Sequence, residues 1–229
     1  MANVTITGYA RTTGGDQIPL RVDSKAEGTE HTVTTDTNLT VTAQDIGTYK
    51  PGSTVVSLEL FCPNGISYAY ILRQGTILAW GSVNVSGVNN KELMLCAPVN
   101  LRPGDTVRCL PLTATARNAA LCVFTGSGVA RIFVGTPSGA GTTALNDLQD
   151  SSNGIGDTLQ GQTIVKAMFT AGGTQAQMPV SSGGAWIRNA SGQLAGAVPG
   201  TNPVNAEPCL SMVNIPIALN WEASVVTAA

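Results

Sequence analysis

Charge is scarce in this 229-residue chain: Lys, Arg, Asp and Glu make up 11% of it, and His31 is its single histidine. That is less than half the share usual in globular domains. Twelve basic and fourteen acidic residues leave a net charge of −2, with no run of Lys or Arg. The dense positive surface that phosphate neutralisation requires is missing, so direct nucleic-acid binding is not expected. No apolar run approaches the ~20 residues of a spanning helix. The longer runs, such as Ala119–Phe124, are strand-sized. The opening residues MANVTITGYARTTGG lack the charged-then-apolar pattern and cleavage site of a secretory signal, so synthesis in a cytosol is expected.

Catalytic signatures are equally thin. A hydroxyl or thiol nucleophile needs a neighbouring base; His31 lies in a polar, Thr-rich segment, and there is no G-x-S-x-G elbow. Glycoside hydrolysis needs two facing carboxylates. Glu59 is the only carboxylate inside a strongly apolar run, while Glu92 and Glu222 sit at or near strand starts, and alternation points each toward solvent. Gly135–Gly141 has the glycines of a phosphate cradle without the Gly-Lys-Ser/Thr or the helix that should follow. The five cysteines, Cys62, Cys96, Cys109, Cys122 and Cys209, are odd in number and form no Cys-x-x-Cys. They read as buried free thiols acting as small hydrophobes. No catalytic set and no cofactor are expected.

What is present is a rhythm. Hydrophobic residues make up 43% of the chain, enough to drive folding. From Ser53 to Val134 short apolar or alternating runs are broken by Pro63-Asn64-Gly65, Gln74-Gly75, Asn89-Asn90, Pro103-Gly104-Asp105 and Gly126-Ser127-Gly128. Such punctuation marks antiparallel strands joined by tight turns. Strands are expected near 55–62, 66–72, 76–85, 92–99, 106–112, 119–124 and 129–134, then at 163–170, 210–217 and 219–226, with a short segment at 185–188. Residues 1–50 alternate loosely and leave two readings, edge strands or an arm reaching onto a neighbouring copy. Residues 51–229 read as a single domain, an all-β antiparallel sandwich of jelly-roll type. Its long Gly/Ser/Thr-rich loops are placed at 135–162 and 172–208, with one helical turn at Leu145–Leu148.

Two groups of residues in those loops carry candidate chemistry. Asp147, Asp150, Asn153 and Asp157 offer hard oxygen ligands of the kind that bind Ca²⁺, although their spacing is not that of an EF-hand loop. Plain solvation explains them equally well. Trp186, flanked by Gly183-Gly184 and Arg188, is the best exposed aromatic in a chain with three Trp, four Tyr and four Phe. Trp186 and Arg188 are therefore the interface candidates, and Tyr68, Tyr70, Trp80 and Trp221 read as core or interface anchors.

In whole-chain architecture and composition, with a neutral Gly/Thr/Ser/Asn-rich surface and no catalytic set, the chain resembles jelly-roll or sandwich proteins of virus and phage particles. The resemblance has no motif behind it and carries over no functional residue. It implies a non-catalytic structural protein (capsid, cement or tail component) located in the virion and made in the host cytoplasm. Its partners would be copies of itself, as a homo-oligomer, and other particle proteins. The alternative is a carbohydrate-binding or adhesive β-sandwich, which requires a shallow exposed groove using Trp186 with Tyr68 or Tyr70.

Overall fold

The computed structural model describes residues 3–4, 7–20, 25–26, 39–41, 53–61, 66–83, 90–111, 118–172, 180–201 and 210–227. His31, Cys62, Cys209 and the Pro63-Asn64-Gly65 turn lie outside them. The chain forms two compact units, 1–113 and 114–229. Both are built of β-strands, and the described residues include one helix of five residues, so the all-β antiparallel reading holds.

The first unit contains β1 (Asn3–Val4), β2 (Thr7–Thr12), β3 (Gln17–Leu20), β4 (Lys25–Ala26), β5 (Leu39–Val41), β6 (Thr54–Phe61), β7 (Ile66–Arg73), β8 (Thr76–Val83), β9 (Asn90–Asn100) and β10 (Thr106–Pro111). Eight of them form one curled antiparallel sheet in the order β3-β2-β6-β9-β8-β7-β10-β5, and β1 pairs with β4. Within residues 1–50, β2 pairs with β6 along its length and β3 forms the edge of the sheet. Pro19 fits that edge, where a missing N–H costs no ladder bond. Cross-strand rows explain the burial. Ala10, Leu58 and Leu93 oppose one another across β2, β6 and β9, and Leu95, Gly81, Ala69 and Cys109 do so across β9, β8, β7 and β10. The apolar side chains of both rows are buried.

The 101–105 turn is pinned from inside. Asp105, its side chain 1% exposed, accepts hydrogen bonds from Arg73 Nε and Nη2, both at 2.7 Å, and from the Arg102 amide at 2.9 Å. Arg73 also donates to the Asn100 carbonyl at 2.9 Å. The bidentate bond raises the guanidinium's pKa above its ordinary value, against the opposing effect of burial.

The second unit contains β11 (Asn118–Thr125), β12 (Ala130–Gly135), β13 (Gly141–Asp147), α1 (Ile155–Leu159), β14 (Thr163–Gly172), β15 (Val180–Arg188), β16 (Leu194–Thr201), β17 (Ser211–Pro216) and β18 (Glu222–Thr227). Where a two-sheet sandwich was expected, seven of these strands close into a barrel, β11-β12-β13-β18-β15-β16-β14, through a full-length pairing of β14 back onto β11. β17 pairs with the first half of β14. Every pairing is antiparallel except the short contact of β14 with β16. The interior holds Leu121, Val123, Phe133, Leu145, Ile164, Phe169, Ile187, Val198, Ile215 and Val225, and α1 adds Ile155 and Leu159 to this core.

Both stretches expected to be long loops contain regular elements. The 135–162 stretch contains β13 and α1, and 172–208 contains β15 and β16. The turn expected at 145–148 is replaced by the end of β13 and a bend, and the helix forms ten residues later. The disguise is physical: β13 and β16 each give the interior only one large apolar side chain, Leu145 and Val198. Elsewhere close neighbours take the space. A Cβ on Gly196 would lie 2.7 Å from the Ile215 side chain, and one on Gly200 would lie 2.8 Å from Phe169. The division at 113/114 falls inside the stretch read as one domain, because strands 118–125 and 130–135 pair with the C-terminal strands.

Candidate functional site

The outer wall of the barrel around β15 presents the interface candidates. Alternation sends Ala185 and Ile187 into the core and leaves Trp186 and Arg188 on the outside. The two stack: the guanidinium carbon of Arg188 stands 4.9 Å from the Trp186 ring centroid, a cation–π contact that holds both side chains in place. Arg188 Nη1 also donates to the Gly192 carbonyl at 2.9 Å.

That carbonyl belongs to a well-ordered β15–β16 hairpin. Asn189 Oδ1 accepts from the amides of Ser191 and Gln193 at 3.0 and 2.9 Å, and the Asn189 amide donates to the Gln193 carbonyl at 2.9 Å. Gly192, at φ +77°, supplies the left-handed residue the turn requires. Arg188 is thus held between an aromatic face and a fixed loop.

Neighbouring strands widen the surface. A one-residue bulge pairs Arg188 with Leu194, so Leu194 shares its face and is 55% exposed. Ala197 pairs with Trp186 and Pro199 with Gly184, and both are exposed. On β17, which lies beside β16, inward Ile215 leaves Met212 outward and 72% exposed. Met212 pairs with Lys166, whose ammonium sits 5.6 Å from the Phe124 ring centroid. On the other flank exposed Glu222 pairs with Arg188 in the β15–β18 register. The outer faces of β16 and β17 therefore expose Leu194 and Met212, with Arg188, Glu222 and Lys166 on strands beside them.

Of the calcium candidates, Asp150 and Asn153 meet directly, and each carboxylate also takes bonds from its own surroundings. Asp150 accepts from the Ser152 amide and hydroxyl at 3.2 and 2.6 Å and from Asn153 Nδ2 at 3.0 Å. The two bonds from Ser152 hold its pKa below the ordinary carboxylate value. Asp157 turns back to the Gly154 amide at 3.1 Å and closes the start of α1. Asp147 is buried, accepts from the Gln149 amide at 2.7 Å, and lies 3.8 Å from Arg131 Nε. Each carboxylate serves a local donor. Among the described residues no three His, Cys, Asp or Glu side chains come together.

Other candidates fall into structural places. Glu59 is ion-paired with Arg11, whose Nε donates at 3.1 Å. Tyr68 and Tyr70, ring centroids 6.1 Å apart, are buried, as is Trp80, which fits their reading as core anchors and leaves no exposed groove at Tyr68 or Tyr70 for the glycan-binding alternative. Trp221 packs against the barrel core. Cys96, Cys109 and Cys122 are buried free thiols, as their apolar settings implied.

Sequence reasoning missed Leu194 and Met212. Leu194 is the only large apolar residue in Ser191–Ala197, and Met212 is out of phase with the inward Val213 and Ile215. Alternation was the available signal for Met212; the bulge hides it for Leu194. Among the described residues no helix is long and apolar enough to cross a membrane. No family model, curated protein or solved structure matches this chain.

Proposed function

We propose that this chain is a non-catalytic structural protein that assembles with copies of itself into a virus or phage particle, as a capsid, cement or tail component located in the virion. The observation that carries the reading is the exposure of Leu194 and Met212, each more than half exposed on the outside of the barrel, on a chain in which charged residues are only 11%. Neutral Thr, Ser, Asn and Gly are cheaper to bury against neighbouring copies than charges. In this reading the curled sheet and the barrel serve as the rigid blocks that jelly-roll sandwiches provide in such particles.

The glycan-binding alternative loses its main support, because Tyr68 and Tyr70 are buried. Light scattering combined with negative-stain microscopy of the purified protein tests the proposal. Rings, shells or tubes of regular subunits are the expected result. A stable monomer at high concentration, in the presence and absence of other particle proteins, would refute it.

A further inference from the structure

We infer that Asn153 is a modification site. Followed by Gly154, it deamidates spontaneously through a cyclic imide, and the carboxylates of Asp150 and Asp157 hold the reaction back while the loop between β13 and α1 stays folded. Asn-Gly occurs in this chain at Asn64-Gly65 and at Asn153-Gly154, and the second lies among the described residues.

The Gly154 amide nitrogen, once its proton is lost to hydroxide, attacks the side-chain carbonyl carbon of Asn153. Gly154 has no Cβ to crowd that approach. The new N–Cγ bond closes a five-membered imide as the Cγ–Nδ2 bond breaks, and Nδ2 takes up a proton and leaves as ammonia. Water then opens the ring at one carbonyl or the other, giving aspartate or isoaspartate. One water enters for each ammonia released, so the conversion balances without enzyme or cofactor.

In the folded chain both reacting groups are engaged. The Gly154 amide donates to Asp157 Oδ2 at 3.1 Å, and Asn153 Nδ2 donates to Asp150 Oδ2 at 3.0 Å. The backbone of Asn153 is held as well: its amide donates to the Asp150 carbonyl at 3.0 Å, and its carbonyl accepts from the Asp147 amide at 2.9 Å. A carboxylate against the Gly154 N–H opposes loss of that proton, and ring closure must swing the Asn153 side chain away from Asp150. Local opening of the loop therefore sets the rate.

The product does not fit back. An acid at position 153 removes the Nδ2 donor and sets a second negative charge beside Asp150, and isoaspartate adds a backbone atom just before α1. Ile155 and Leu159 of α1 belong to the barrel core, so a loop that has opened for long enough is left with a lasting local weakness.

Peptide mapping by mass spectrometry at mildly alkaline pH tests the site. The tryptic fragment 132–166 contains Asn153 and not Asn64, and fragmentation separates Asn153 from Asn146. The chain unfolded in urea should deamidate at Asn153 at least ~10-fold faster than the folded protein. Asp150→Ala and Asp157→Ala, both at exposed positions, should each speed the folded protein's reaction about 3-fold or more with circular dichroism unchanged. Asp157→Asn, whose side-chain oxygen still accepts from Gly154, should fall between the parent and Asp157→Ala. Gly154→Ala should slow the reaction in both states. The fold tolerates it, because φ is −82° and the added Cβ would stand 3.6 Å from Asp157 Oδ2. Equal rates in the folded and unfolded chain, or no acceleration in either alanine variant at the two aspartates, would overturn the protection. An unfolded chain that leaves Asn153 intact would overturn the site itself.

Discussion

Replacing Asp105 with Ala should destabilise the first unit by about 2–3 kcal/mol. The side chain is 1% exposed and accepts three bonds, two of them from the guanidinium of Arg73. Breaking a buried ion pair by removing one partner typically costs about 3–5 kcal/mol. Here the surviving partner is 26% exposed and keeps its bond to the Asn100 carbonyl, so water recovers part of the loss and the lower figure applies. Asp105→Asn keeps the shape and some of the acceptor capacity but not the charge, and should cost about 1–2 kcal/mol. Urea unfolding followed by the fluorescence of Trp80, buried in the same unit, reads both values. Arg73→Met, alone and combined with Asp105→Ala, completes a double-mutant cycle with an expected coupling of about 1–2 kcal/mol. A loss below about 0.5 kcal/mol for Asp105→Ala, the range of an ordinary surface change, would refute the reasoning, as would a coupling near zero.

Gly156→Ala should destabilise the second unit by about 1–2 kcal/mol although it lies in a helix, because a Cβ there would stand 2.4 Å from the Trp221 amide nitrogen and overpacking outweighs the ~1 kcal/mol propensity gain; thermal melting with both variants at one concentration measures it. Cys96, Cys109 and Cys122 should resist a thiol reagent in the native protein and react on denaturation, and rapid native modification of all five thiols would count against their burial. Asp150 should titrate below its ordinary value by carboxyl NMR, and Ser152→Ala should move it back up. Because its folded pKa is depressed, whatever stability it contributes is present above its unfolded pKa and is lost as pH falls through the folded value. No upward movement in Ser152→Ala would mean that the serine is not the cause.

Strands of the first unit were legible because their turns carry their own chemistry. Gln74-Gly75 has both residues at positive φ, at 46° and 80°, and Gly104 sits at 96°, so the hairpins can be read from residue type alone. β13 was hidden because Leu145 is its one large apolar side chain in the core, and β16 because a strand that passes close to a neighbour needs glycine where periodicity looks for a large side chain. Gly196 and Gly200 look like loop residues until Ile215 and Phe169 are seen against them. Trp186 and Arg188 were legible as exposed candidates within an expected loop, and only the strand β15 sets them two residues apart on one face. Leu194, Met212 and Glu222 join them only through the bulge and the register of three other elements.

Composition and local pattern alone determined that the chain is all-β, that most of its strands lie where they do, that three of its cysteines are buried thiols, and that charge has little part in its surface. These follow from properties each residue carries in any context: alternation, turn propensity and the cost of burying charge. The closing of the C-terminal strands into a barrel was decided by the pairing of β14 with β11, some forty residues away in sequence. The local bonds that each aspartate takes and the exposure of Leu194 and Met212 on the outside of the barrel were decided in the same way. Each depends on which strand lies next to which, a relation between distant residues that no local window contains.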